Sequence, residues 1–172
     1  MFDFLKDHPF AVEAFFEHSI VLTFAVPKEE LEKFIPECLT LDTFQDKWAF
    51  IAMAMVQTKG LRPKGTPKFM GNDFFLIGYR VFVRYTNQEG KRLRGLYILK
   101  SETDKKKMEF LGNIFTHYNY TTTDIQQVKG EDSIEISSIQ SQFKVVLDRR
   151  EDLISLPEHS PFMDWKEARR FA

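Results

Sequence analysis

The chain has one cysteine, Cys38, among 172 residues. That excludes an internal disulfide framework and fits a reducing compartment. Cys38 follows Pro36 and Glu37 with no base nearby, so it is not placed as a nucleophile. No stretch approaches the ~18 consecutive apolar residues that a membrane-crossing helix needs. The opening "MFDFLKDHPF" carries charges where a secretory leader needs an apolar core. The expected location is cytoplasmic, with no membrane partner. His8, His18, His117 and His159 are too scattered for metal-ligand spacing. No metal is expected. "GLRPKGTPKFMG" lacks the spacing of a phosphate loop, and no cofactor is expected. "FVRYTNQEGKRLRG" mixes aromatic and basic residues as single-strand binders do. A pI near 6.4 argues against nucleic acid as the main partner.

What is present in quantity is phenylalanine, 18 residues against 2 tryptophans, within a hydrophobic content of 43%. This many rings imply a large apolar interior or a large apolar pocket. The length suggests one domain spanning residues 1–172. A net charge of −1 conceals an asymmetry. Lys59 to Lys107 holds 13 Lys and Arg against 4 Asp and Glu, while the rest holds 11 against 21. Either the middle is an anion-binding region, or the charges scatter and cancel over the folded surface.

"EHSIVLTFAV" reads as a strand. "PKEELEKFIP" reads as a short helix, with Pro27 at its first position and Pro36 ending it. "DKWAFIAMAMVQT" is a second strand. "KGLRPKGTPKFMGND" reads as a fifteen-residue loop, long enough to expect a function. "FFLIGYRVFVRY" and "RLRGLYILK" form a hairpin across "TNQEGK". "TDKKKMEFLGNIF" looks helical, with Ser101 or Thr103 as cap and Met108, Leu111 and Phe115 at helical spacing. "FTHYNYTTTDI" and "DSIEISSIQSQFKVVLDRRE" have strand character. In "SPFMDWKEARRFA" a helix opens with Ser160 as cap and Pro161 in its first turn. Long strands with few short helices make this an α+β domain, mainly antiparallel β.

Alternate residues of a strand share a face. If odd positions of the hairpin pair with odd, Phe75, Ile77, Tyr79, Val81, Val83, Leu93, Tyr97 and Leu99 form a core face. The other face mixes Arg80, Arg84, Arg94 and Lys100 with Leu76, Phe82, Leu96 and Ile98. Gly78 then lies opposite Lys100, leaving room beside it. Such a face is either the wall of an apolar cavity with a few polar groups or an exposed sheet whose long stems cover apolar neighbours. In a cavity, an amine beside another cation loses its charge more easily. It can then attack a carbonyl to form a Schiff base, while an arginine holds a carboxylate. Lys100 is the candidate amine, with Lys106 as the alternative. Arg80, Tyr79, Phe82 and His117 are the candidate ligand contacts, and the loop from Lys59 to Asp73 is expected to border the mouth.

"VPKEELEKFIPECLTLDTFQDKWAFI", "GLRP", "YRVFVRY", "GLYIL" and "SPFMDWKEARRF" together resemble the YqjF-like uncharacterised branch of the acetoacetate decarboxylase-like superfamily. The resemblance spans Val21 to Phe171. It implies a cone-shaped antiparallel β-barrel around a cavity, with a few short helices. It implies a paired lysine that forms a Schiff base with a β-keto acid. Here the adjacent lysines are Lys105, Lys106 and Lys107 in "ETDKKK", without the proline that precedes the decarboxylase pair. It also implies further strands beyond Phe171, so the barrel is either incomplete at Ala172 or closed by other means. Two functions follow as expectations. One is a small-molecule-binding barrel acting on a small anionic or carbonyl-containing acid. The other is a non-catalytic binding or interaction module. Homo-oligomerisation stays open.

Overall fold

Strands rich in β-branched and aromatic residues, up to 16 residues long, exceed every helix among the described residues and give sheets the leading role. A computed structural model describes residues 10–148, 150 and 155–171. Met1 to Pro9, with His8, and the stretch 151–154 lie outside the described residues. The longest strands are β1 (Val12–Pro27), β3 (Trp48–Pro63), β4 (Asn72–Thr86) and β5 (Arg92–Thr103). They pair antiparallel in that order. The two-residue β2 (Thr40–Leu41) pairs with β4, and β6 (Tyr120–Thr122) joins β5 in parallel. A second sheet carries β7 (Gln126–Lys129), β8 (Ser133–Ser138) and β9 (Phe143–Asp148). Among the described residues three short α-helices complete the fold, α1 (Lys28–Glu32), α2 (Lys106–Phe115) and α3 (Trp165–Phe171). The expected mainly antiparallel β class with a few short helices is what is seen. Among the described residues the two sheets do not close into a barrel.

The main sheet buries both faces, by different means. On one face, here called inner, Met53, Met55, Phe75 and Ile77 pack against Ile134, Ile136, Phe143 and Val145 of the second sheet. Further along the same face, Ala49, Val81 and Val83 are covered by Leu31 of α1 and Leu41 of β2. On the outer face Phe74 packs with Met108 of α2 and with Tyr120. Phe50 meets Phe82 of its own sheet and Phe162 and Phe171 from the C-terminal segment. Phenylalanines thus supply part of the packing between layers, while others, Phe15, Phe16, Phe69 and Phe110 among them, are exposed.

Several sequence expectations change here. The strand from Trp48 runs on to Pro63, so the fifteen-residue loop shrinks to a turn and a 3₁₀ turn at Lys68–Met70. Gly60, at φ +60°, and Gly71 bring their backbones together there, and Asp73 accepts the Gly60 amide at 2.9 Å. The mouth-bordering role expected of that loop also fails. Asn72 is seven residues from Tyr79 along β4, about 23 Å at roughly 3.3 Å per residue. Ser101 and Thr103 do not cap α2, because both still belong to β5 and Lys105 holds the cap position without a side-chain bond. Pro27 stands at the N-cap of α1 rather than inside it. At α3 the cap is Asp164, whose Oδ1 accepts the Glu167 amide at 2.7 Å, rather than Ser160. The "FTHYNYTTTDI" strand shrinks to Tyr120–Thr122, so His117 lies ahead of it, and Asn119 takes a positive φ of 50°.

The close glycine contact is testable. A Cβ built on Gly71 would sit 2.8 Å from Gly60 backbone atoms, which cannot rotate away. Gly71→Ala should lower stability in urea unfolding by ~1–3 kcal/mol, the usual cost of overpacking. Gly95 in β5 has nothing within 4 Å of such a Cβ, so Gly95→Ala should match or slightly exceed the wild type.

Candidate functional site

The hairpin of β4 and β5 forms with Val81 opposite Tyr97, as the parity argument requires, and Val83 opposite Gly95. Then the register shifts. Arg80 pairs with Ile98 and Tyr79 with Lys100, so Leu99 is an extra residue on β5. A bulge of this kind puts two residues opposite one and reverses the parity beyond it. The expected pairing of Gly78 with Lys100 is therefore overturned, and Gly78 faces Ser101 instead. Lys100 and Glu102 turn to the inner face, beside Tyr79, while Arg80 stays on the outer face. The room expected beside Gly78 is taken by Arg80 itself, whose Nε lies 3.1 Å from where a Cβ would stand.

Around Lys100 the structure assembles a compact polar cluster. Its Nζ lies 2.5 Å from Oε1 of Glu102 and over the Tyr79 ring at 5.7 Å. Glu102 is only 2% exposed. A carboxylate that deep needs donors, and it has three: Lys100, the Ser141 hydroxyl at 2.6 Å and the Tyr79 hydroxyl at 2.9 Å. Burial, then the bond to Glu102, pushes the Tyr79 phenol well above the ordinary tyrosine value. Ser141 reaches in from the turn between β8 and β9, and so ties the second sheet to this point. From Ser141 the chain of hydroxyls continues through Thr123 at 3.2 Å and Ser138 at 3.1 Å to Asp124 at 2.5 Å. The Ser138 hydroxyl, with the Gln140 and Ile139 amides, holds the Asp124 carboxyl below the usual range.

Lys100 is half-exposed at its side chain. Across the sheet its row reads Leu22, Met53, Tyr79, Lys100. That row belongs to the cluster under the second sheet, at its border with the cluster under α1 and β2: Met53 is a buried member of it, and Leu22 and Tyr79 pack against it. Phe24, in the next row, is also half-exposed on this face. The middle of the inner face thus presents an ammonium, an aromatic ring and apolar neighbours. The setting differs from the expected one in its charge: the neighbour of Lys100 is a carboxylate rather than a second cation.

The other candidates lie elsewhere. Arg80 sits on the outer face near Tyr120, whose phenol is pushed up to about 12, mainly by burial. Among the described residues no carboxylate lies within ion-pair distance of Arg80. Phe82 faces outward against Phe50 at 6.1 Å. Lys106 is exposed on the first turn of α2, with Lys105 bonded to the Asp73 carbonyl and Lys107 to Asn72. His117 precedes β6 and is not part of the Lys100 cluster. Arg84 and Arg94, also on the mixed face, are both taken by Asp42, at 2.6 and 2.5 Å. Of the sequence candidates, then, only Lys100 and Tyr79 come together. Glu102 and Ser141 were missed. The pair Lys100 and Glu102 two apart on a strand was a visible signal, but only the bulge turns it inward. No three His, Cys, Asp or Glu among the described residues group as a metal site.

The high-lying phenols give a pH dependence. A phenol raised in the folded state stabilises the fold fully below the unfolded value of about 10, and that contribution is lost as pH rises toward the folded value. Tyrosinate absorbance should therefore show Tyr79 and Tyr120 ionising late, and the fold should weaken above about pH 10. Tyr79→Phe should remove one late phenol and flatten that alkaline loss. An unchanged profile would show that the fold does not hold the Tyr79 phenol in its neutral form.

Residues 13–171 match the model of the family DUF2071, described as an uncharacterised conserved protein. Among curated proteins none matches. The fold is similar to that of acetoacetate decarboxylase from Legionella pneumophila subsp. pneumophila str. Philadelphia 1, at a TM-score of 0.56 and 13% identity. The match covers 83% of this chain and 50% of that enzyme, so this chain spans about half its length. At that identity the likeness is one of fold. With the fold and the family match agreeing over nearly the whole sequence, the chain belongs to DUF2071, an uncharacterised branch with an acetoacetate decarboxylase-like fold.

Proposed function

We propose that the inner face at Lys100 binds a small carbonyl-containing organic acid, and that Lys100 is the group the acid meets. This reading treats the chain as a single acetoacetate decarboxylase-like domain and the inner face as one wall of a cone-shaped barrel. The observation that carries it is the pairing of a half-exposed lysine with a buried, fully bonded glutamate. Glu102 is held by Ser141 and Tyr79, so it stays in place when Lys100 moves to a ligand. Tyr79, Met53 and Phe24 supply the flat and apolar surroundings that a small organic molecule needs. Arg80 is not part of this site, because it lies on the other face.

The arrangement supports imine formation as follows. The Lys100 ammonium gives a proton to Glu102, and the free amine adds to the ligand's carbonyl carbon. The carbinolamine takes a proton back from Glu102 and loses water, leaving a cationic imine. With a β-keto acid, that imine accepts the electron pair released when the carbon–carboxylate bond breaks and carbon dioxide departs. Glu102 acts as proton acceptor and donor, and Tyr79 fixes its position.

A second reading rests on the Lys100–Glu102 ion pair. An ammonium already held by a carboxylate is suited to ion-pair recognition without covalent chemistry, and the domain is then a binding module. Incubation with a β-keto acid followed by borohydride separates the two. An adduct on Lys100, detected by mass and lost in Lys100→Ala but kept in Lys106→Ala, supports the imine reading. Saturable binding lost in Lys100→Ala without any adduct supports the module. Binding or labelling untouched by Lys100→Ala overturns both.

A further inference from the structure

The outer face of the main sheet carries a cavity of about 560 Å³ that wraps round the edge strand β1, where Leu22 and Phe24 also border the inner face, but Lys100, Tyr79 and Glu102 do not line it. The C-terminal segment forms one wall, with Phe162, Trp165 and Phe171, and the sheet forms the other, with Val21, Phe50 and Phe82. That volume lies within the range of small-molecule sites. The walls are already packed on one another rather than collapsed into the space. Phe50 and Phe162 stack nearly parallel, 14° apart at 5.5 Å, and Phe50 meets Phe171 at 4.6 Å. Val21 on the sheet wall remains 56% exposed, so apolar surface is left for an occupant.

One end of the cavity is cationic. Lys166, Arg169 and Arg170 lie together on the surface of α3. Arg169 also lines the cavity. Its Nε is bonded to the Trp165 carbonyl at 3.2 Å, which orients the guanidinium, and among the described residues no carboxylate pairs with it. Apolar aromatic walls leading to an oriented guanidinium and two further cations match an amphipathic acid. The rings take its apolar body, and Arg169 takes the carboxylate with charge-assisted hydrogen bonds.

We propose that this cavity is a second ligand site, independent of Lys100, for an aryl or arylalkyl carboxylic acid whose carboxylate is bound by Arg169. The test uses the position of the tryptophans. Trp165 lines the cavity, whereas Trp48 stands at the start of β3 under the Lys47 ammonium. In the Trp48→Phe background, 3-phenylpropanoate should change Trp165 emission saturably, and the neutral 3-phenylpropan-1-ol should bind more weakly. Arg169→Gln should weaken the acid about tenfold, the order expected for a charge-assisted bond, and leave the alcohol unchanged. Ala168→Leu should weaken both, since Ala168 also lines the space. Should that variant fail to fold, the Arg169→Gln comparison of acid with alcohol decides alone. Lys100→Ala should leave binding unchanged, and the probe has no ketone for an imine, so failure here and failure of the Lys100 reading are separable. No saturable change, equal losses for acid and alcohol in Arg169→Gln, or loss in Lys100→Ala would overturn the proposal.

Discussion

A single extra residue in β5 decides what this protein presents. Opposite β4, strand β5 advances in step until Ile98, then carries Leu99 as surplus before Lys100 meets Tyr79. Because side chains alternate with a period of two, one surplus residue moves every later side chain to the other face. Lys100 and Glu102 are thereby placed under the second sheet, and Ser101 and Thr103 against α2 and β6. Without the bulge, Lys100 would lie beside Arg80 and Glu102 would face the α2 layer. Leu99 itself is absorbed by the cluster of Val81 and Tyr97, which gives the bulge apolar support.

The consequences spread outward from Glu102. A buried carboxylate left unpaired is costly, so its three donors act as fasteners as well as chemistry. Tyr79 ties it to β4, Lys100 to its own strand, and Ser141 to the turn of the second sheet. Through Ser141 the same network reaches Thr123, Ser138 and Asp124, which organise that turn. The second sheet is therefore registered on the first by both its apolar face, with Ile136 fully buried, and this polar seam. Any ligand that draws Lys100 away leaves Glu102 with Tyr79 and Ser141, so the seam persists while the lysine reacts or binds.

The two faces of the main sheet divide the work. Charges on the outer face are mostly neutralised: Asp42 is 1% exposed and holds both Arg84 and Arg94. Part of the basic balance between Lys59 and Lys107 is taken up in such local pairs, as with Lys59, which meets both Glu17 and Asp73, and Arg62, which meets Glu13. Arg80 and Lys106 stand outside these pairs. On the inner face Lys100 is itself paired with Glu102, while the cationic end of α3 borders the aromatic cavity on the other side.

The sequence by itself determined the parts set by local chemistry. Alternation and β-branched content gave the long strands and the hairpin, with Val81 against Tyr97. Pro27 marked the start of α1, which ends at Glu32, short of Pro36, and the apolar spacing of Met108 and Leu111 gave α2. Lys100 was legible as a candidate because it stood out against apolar neighbours, and Tyr79 was named as a ligand contact although it was read onto the apolar face of the hairpin. Only the tertiary structure decided which way they point. A bulge depends on which partner residue each backbone group finds, and no pattern within β5 reports that. For the same reason Ser141, 39 residues from Glu102 in the chain, could not be assigned to it. The shortened loop after Lys59 was hidden because Gly60 and Gly71 read as loop residues, when their lack of side chains is what lets two strand ends touch. Asp42 carried no signal either, since its two arginines lie 42 and 52 residues away and meet it only when β4 and β5 pair. Local pattern fixes which segments extend or coil, whereas facing and partnership are set by contacts between segments far apart in the chain.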